Sequence, residues 1–576
     1  MVEHFFKNNS RILTRPQKSI ISAATIIMVM VAASRFLGLL RNRILAYYFS
    51  AELLSVYFAA FRLPEIVFEV LVFGTLASAF IPIFTTYLTS DKKEAWRVAS
   101  ISINIAFLIF LFFAVLIFFL AKPLYQVIVP GFSPAQLAKT IVLARILILA
   151  QGFFLLSYFS TAILESLKRF LVPAIAPLFY NLGIILGTVF LTGKLDILAP
   201  AVGAVIGALM HFLVQLPLVF HLGFRPQWQL NFRHPGVKKI AGLAFPRMAE
   251  LSFMQIGKSL ELFLATIIGP AAYTYLTFAN ALQLLPVSLF GISIAKASLP
   301  NLSYQTKQPQ EFKTTFVSSF NQILYLTFPC AVFLAVLRIP AVRLFFGAPR
   351  FDWPATIQTS FALSAFCLGI VPQSLVLLLN RTFYALHDTL TPMVVSILSL
   401  LLNAFLGLVL VLVYKFPVWG LAFSSSLASI FQMAVLLFFI HKKRISFSKK
   451  EFLLPFLKIA SASFLSGGIM YIVLRILDRS AWDKSLSFLG KFGLVLPISL
   501  NFFVLDTRYT LNLIVVTFMV GILGMVVYLL LSWLLKIKEF YVLLKLFSVI
   551  EKFGLFPPRF LKKRESITID GSSRIE

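Results

Sequence analysis

The chain is poor in charge, and poorest in acid. Of its 576 residues 13% are charged, with 22 Asp and Glu against 51 Lys and Arg. Soluble domains carry about twice that charged fraction, which excludes a soluble enzyme or a free-standing binding domain. Cysteine is also scarce. Cys330 and Cys367 both fall in apolar stretches, so they imply neither a disulfide framework nor a metal site. No nucleotide-binding loop, metal-ligand cluster or nucleophile constellation stands out. The sequence therefore reads as a non-enzyme, with no cofactor and no metal. The N-terminus has a basic flank but no short apolar core with a small-residue cleavage site, so no signal peptide is expected.

What the chain has in quantity is apolar bulk. Hydrophobic residues make up 59%, with 63 Phe. Reading with a ruler of about 20 apolar residues per crossing, spans fall near 19–40, 53–88, 99–121, 140–164, 172–192, 199–221, 239–268, 272–303, 314–337, 355–380, 391–414, 418–440, 453–476 and 510–535. This is an all-α polytopic membrane protein of about 14 transmembrane helices. The segment 485–505, which holds Lys491 and Pro497, reads as interfacial or re-entrant, with a fifteenth span as the alternative.

The net charge of +29 does not signal nucleic acid, because the basic residues lie between apolar spans. Alternate loops are strongly basic, for example Lys92, Lys93 and Arg97, then Arg225, Arg233, Lys238 and Lys239, then Lys442 to Arg444. The intervening loops are much less so. That bias puts both termini in the cytoplasm, which requires an even number of spans.

An internal repeat is visible. Ala77–Pro82 and Ala295–Pro300 share A-x-A-x-x-P, each closing a long second span with an earlier Leu-Pro, at Leu63–Pro64 and Leu285–Pro286. Gly203 and Gln215 are spaced as Gly420 and Gln432 are. These matches suggest two six-helix lobes around a central cationic cavity, plus two C-terminal helices. The expected organisation is a tail at 1–18, an N-lobe at 19–222, a basic linker at 223–238 and a C-lobe at 239–440. Spans 13 and 14 follow at 453–535, and then a basic tail at 536–576. Prolines within spans, including Pro64, Pro82 and Pro286, predict kinks.

Charges inside apolar spans are the functional signal, because each costs at least a few kcal/mol unless it faces water or a partner. The first two spans carry Arg35, Arg41, Arg43, Arg62, Glu65 and Glu69. Arg43 reads first as an end-of-span residue reaching the interface. The seventh carries Arg247, Glu250, Gln255, Lys258 and Glu261. Lys258 and Glu261 stand at i,i+3, so an ion pair between them is expected, either structural or lining the cavity. Lys296 in the eighth span is a further cation, which could equally snorkel to the interface. Asp388 is placed to cap the helix that Pro392 begins, a structural turn.

Several of these stretches resemble one family. S-R-x-L-G-x-x-R from Ser34, F-R-L-P at Phe61–Pro64, Gly74–Pro82, Arg169–Gly183 and F-Y-x-x-x-D-x-x-T-P at Phe383–Pro392 are similar to the lipid II flippase family (MurJ/MviN), within the multidrug/oligosaccharidyl-lipid/polysaccharide exporter superfamily. The resemblance covers nearly all of the first twelve spans. It implies a flippase that moves a lipid-linked peptidoglycan precursor to the outer leaflet of the bacterial inner membrane by alternating access. Its partners would be an undecaprenyl-pyrophosphate-linked substrate, membrane lipid and the cell-wall synthesis machinery. The alternatives are a flippase for another undecaprenyl-linked saccharide, an ion-coupled drug antiporter and a non-transporting scaffold.

In the family, three cavity arginines are thought to hold the pyrophosphate. Only the first is matched, at Arg41; the others fall at Phe68 and Ala281, and Asn42 and Phe73 replace acids. The expected substrate-binding set is therefore Arg35, Arg41, Arg62, Lys258 and Lys296, with Glu65, Glu250 and Glu261 as ion-pair or coupling residues.

Overall fold

The structure is a computed structural model that describes residues 20–73, 79–443, 449–477 and 510–542. For 20–28, 73, 246, 249–250, 443, 449–450 and 510 it describes the backbone alone. The side chain of Glu250, the segment 485–505 and most of both tails thus lie outside the described residues. Helices account for almost every described position, joined by short turns.

Twelve of these helices are long and apolar enough to cross a membrane. Two further segments bring the membrane-length elements to fourteen. Span 1 is Ile20–Tyr48, and span 2 is assembled from Ala51–Ala60, Arg62–Phe68, a π-helical turn at Glu69–Phe73 and Ile81–Ser90. Spans 3 to 6 are Lys92–Ile128, Pro134–Ser166, Leu171–Leu195 and Leu198–His221. Span 7 is Pro235–Ile268. Span 8 runs from Ala272 to Tyr304 with its own π turn at Val287–Ile292. Spans 9 to 12 are Pro309–Val336, Trp353–Ala385, Leu390–Val413 and Trp419–Lys443, and spans 13 and 14 are Lys449–Leu477 and Thr510–Leu534.

The helix ends are written locally. Asp91 accepts from the amides of Lys93 and Glu94 at 2.8 and 3.3 Å. Ser133 and Gln136 form a reciprocal capping box, and Asp352 accepts from Ala355 N at 2.9 Å. Each satisfies amides that the first helical turn leaves without partners. Asp388 does the same for Thr391, taking its amide at 3.0 Å and its hydroxyl at 2.7 Å, and Pro392 is buried in that first turn.

Spans 5 and 6 meet backbone to backbone. Glycines 183, 187, 203 and 207 interleave so closely that a Cβ on Gly203 would lie 2.7 Å from the Gly183 carbonyl oxygen. Small residues are what allow such approach where no hydrophobic force drives helices together in lipid. Span 10 is the most enclosed span, and span 3 shows its Phe112 and Phe119 outward.

The predicted kinks take the form of π turns in spans 2 and 8. Both follow the Leu-Pro sites of the sequence repeat, and their starts are 218 residues apart. The backbone repeats elsewhere at almost the same spacing. Left-handed residues occur at Lys168 and His387, and again at Asp196 and Lys415, 219 residues apart in both cases.

The two halves of the chain converge at the end of the bundle that carries the turn between spans 7 and 8. Thr274 donates its amide to Ser55 Oγ at 3.0 Å and its hydroxyl to Ala51 O at 2.7 Å. Phe58 meets Phe278 edge to face, and Phe278 stacks on Phe346. Gly131, in the turn between spans 3 and 4, rests directly on the Thr266 carbonyl of span 7.

Candidate substrate cavity

The charges of spans 1, 2 and 7 converge between the halves. Arg62 is buried, 3% exposed, and donates to the Gln255 side-chain oxygen. Gln255 in turn donates to Glu69 Oε2. Lys258 Nζ donates to the same carboxylate, at 2.9 Å to Oε2 and 3.3 Å to Oε1. A continuous line thus runs Arg62–Gln255–Glu69–Lys258 and ties span 2 to span 7. Glu65, one turn before Glu69, lies within electrostatic reach of Arg62, Glu69, Lys258 and Arg41.

The ion pair that Lys258 makes is therefore with Glu69, not with Glu261 as the i,i+3 spacing predicts. The π turn of span 2 brings Glu69 across to span 7, and the better geometry wins. Glu261 remains within reach of Arg62 and Lys258. Its side chain borders a seam between spans 7, 11 and 12, beside Asn403 and Ser424.

Arg41 is half-buried. Its Nε and Nη2 both donate to Asn42 Oδ1, at 3.2 and 3.0 Å. Because that acceptor is a neutral amide, the bonds orient the guanidinium without cancelling its charge. Tyr57 and Tyr180 lie within electrostatic reach of Arg41 and Glu65, and Tyr273 within reach of Arg62, Glu261 and Glu65. The cavity wall is thus a mixture of cations, carboxylates and phenols, which can meet a polar anionic group while water is partly excluded.

The remaining expected cations lie elsewhere. Arg35 is exposed, about 120° around span 1 from Arg41 by helix geometry. Lys296 is also exposed and has Glu165 of span 4 as its electrostatic neighbour. It follows Tyr273 by 23 residues of helix, roughly 35 Å along the axis, so it stands at the far end of the cavity. Arg43 donates to the Leu344 carbonyl, which anchors the end of span 1. Phe68, where the resemblance implies an arginine, is buried against Phe154 and Tyr158 with ring centroids 5.8 and 5.5 Å away. Ala281 is half-buried.

Glu69 and the three tyrosines escape a reading by sequence spacing. Glu69 is visible as a charge within a span, but its partner stands on another helix. A tyrosine in an apolar run looks the same whether it faces lipid or a wet cavity.

Comparisons with known proteins place the chain among transporters of one family and fold. The family model described as "Lipid II flippase MurJ" matches residues 45–493. The probable lipid II flippase MurJ of Vibrio cholerae is 26% identical over 498 residues, covering 83% of this chain and 94% of that protein. The lipid II flippase MurJ of Burkholderia cenocepacia is 25% identical over 450 residues, covering 76% and 87%. A solved lipid II flippase MurJ in an inward closed conformation superposes with a TM-score of 0.71 at 24% identity, covering 88% of this chain and 98% of that one. An inward-facing multidrug resistance transporter of the MATE family, in the MOP superfamily, gives 0.58 at 13% identity over 73% and 98%. These two structures share the fold.

Proposed function

The chain belongs to the lipid II flippase MurJ family, and from that membership we propose that it moves lipid II across the membrane with the pyrophosphate head held beside Arg41. It is a multi-pass membrane transporter rather than a catalyst. Its place is the bacterial inner membrane with both termini in the cytoplasm, and its direction of transport is from the cytoplasmic to the outer leaflet. Movement is by rocking of two six-span lobes about the cavity.

One observation carries the role of Arg41. Lys258 is paired with the Glu69 carboxylate and Arg62 is buried against Gln255, whereas Arg41 is half-buried and its hydrogen bonds end on the amide of the adjacent Asn42. A guanidinium so placed keeps its full charge and its planar fork for phosphate oxygens. Arg62 then acts by holding spans 2 and 7 in register, and Glu65 and Glu69 limit the cationic charge of the empty cavity. This narrows the expectation that Arg35, Arg41, Arg62, Lys258 and Lys296 together form the substrate-binding set.

The test is export of lipid II in a flippase-depleted bacterium, read by labelling lipid II exposed on the outer leaflet. Arg41→Ala is expected to abolish export at unchanged protein level. Arg41→Lys is expected to restore it only in part, because an ammonium keeps the charge and loses the fork. Wild-type export by Arg41→Ala would overturn the pyrophosphate role and favour a different substrate.

A further inference from the structure

A second cavity lies outside the central one, at the end of the bundle where the halves converge. It encloses about 540 Å³ between span 1, the link from span 9 to span 10 and the start of span 14. Arg43 and Arg343 line it, with Tyr47, Asp352, Trp353 and Leu513. Nothing in the central transport path uses it, and its wall is completed by span 14, one of the two spans beyond the twofold repeat.

Its chemistry is that of an anion site facing lipid. Both guanidiniums are steered by backbone carbonyls, Arg43 by Leu344 and Arg343 by Phe351 at 3.4 Å. The one carboxylate lining the cavity, Asp352, is occupied as the cap of span 10, accepting from Ala355 N. Tyr47 and Trp353 are each about half exposed, at 56% and 51%, as aromatic residues are at the level of lipid headgroups. Gly347 supplies an independent sign that the position of Arg343 matters. Its φ of −59° is open to any residue, so its backbone does not call for glycine. A Cβ there would instead lie 2.7 Å from Arg343 Cδ and overlap the carbonyl of the same residue. The missing side chain leaves room for both the carbonyl and the side-chain stem of Arg343.

We infer that this cavity binds the phosphate-bearing head of a membrane lipid, with Arg43 and Arg343 taking the phosphate oxygens and Tyr47 and Trp353 flanking the glycerol or prenyl stem. Two lipids carry that chemistry: an anionic phospholipid resident in the leaflet, and a prenyl pyrophosphate leaving the transport path. The site stands apart from Arg41, so its failure and the failure of the transport reading are separable.

Native mass spectrometry of the full chain in detergent tests it, with phosphatidylglycerol, phosphatidylethanolamine and undecaprenyl pyrophosphate added separately. The wild type is expected to retain phosphatidylglycerol or undecaprenyl pyrophosphate in preference to phosphatidylethanolamine. Arg43→Gln with Arg343→Gln is expected to lose that retention by about tenfold or more, the scale of removing charge-assisted bonds. Loss for phosphatidylglycerol identifies a resident lipid, and loss confined to undecaprenyl pyrophosphate identifies a station for translocated substrate; either supports the site. If the glutamine pair does not fold, Gly347→Ala displaces Arg343 with the charge kept and is expected to weaken retention severalfold. Unchanged retention in every folded variant would overturn the inference, as would equal retention of all three lipids by the wild type.

Discussion

Spans 2 and 8 leave the α-helix at corresponding places, at Glu69–Phe73 and Val287–Ile292, yet they present opposite chemistry beside the break. Span 2 offers Arg62, Glu65 and Glu69 and binds span 7 through Gln255 and Lys258. Span 8 offers Gln283, fully buried, whose amide donates to Gln373 of span 10 at 2.7 Å while its own carbonyl has no partner. The backbone break is thus independent of the charge beside it. A π turn provides the irregular backbone that a cavity tolerates, and the side chains then decide what the cavity binds. Charge is concentrated on spans 1, 2 and 7, so the cavity is electrically lopsided although its frame repeats.

The sharpest test of that asymmetry removes one side chain from each span's network. Gln255→Leu takes from buried Arg62 a hydrogen-bond partner, and a hydrogen bond to a charged group is worth about 1.5–3 kcal/mol. Gln283→Leu removes a neutral bond and an already unsatisfied carbonyl, for about 1 kcal/mol or less. Unfolding of the purified protein in detergent compares them, and equal losses would break the comparison. An intermediate effect is expected at the glycines of the same repeat. Gly203→Ala drives a methyl into the backbone of span 5, an overpacking cost of about 1–3 kcal/mol. Gly420→Ala meets a single close atom, Phe416 Cβ at 2.9 Å, where Gly203→Ala meets three backbone atoms, so its thermal midpoint should fall less. The smallest effect concerns Lys258, whose side chain is 46% exposed. A double-mutant cycle between Lys258 and Glu69 should give about 0.2–1 kcal/mol. The cycle between Lys258 and Glu261 should give a smaller coupling than the cycle with Glu69; the reverse order would restore the i,i+3 pairing.

The frame was legible because it rests on local rules. An apolar run of the right length is a span whatever its neighbours, and Asp388 caps its helix using only the residues that follow it. The cavity was legible in part. Arg41, Arg62 and Lys258 stand out because a charge in an apolar run demands a reason. Their partners did not stand out, since helical spacing ranks neighbours on one helix and is blind to Glu69 arriving from another. Arg35 and Lys296 mark the same limit from the other side. Both are charges in apolar runs, and only helix rotation and depth, which the sequence leaves open, place them apart from Arg41. The prolines announced a disturbance in spans 2 and 8, but its form depends on the packing around each break.

Gly131 turns the contact between the halves into something adjustable. Its Cα rests on the Thr266 carbonyl, so a methyl group at 131 is a wedge driven between the turn and the end of span 7. An overlap worth about 1–3 kcal/mol, felt only while that end is shut, would shift the ratio of shut to open molecules by about 5- to 150-fold. Gly131→Ala would then populate a form open at that end without touching any residue of the cavity. A spin-label pair placed across the turn and span 7 would report it as a longer distance distribution.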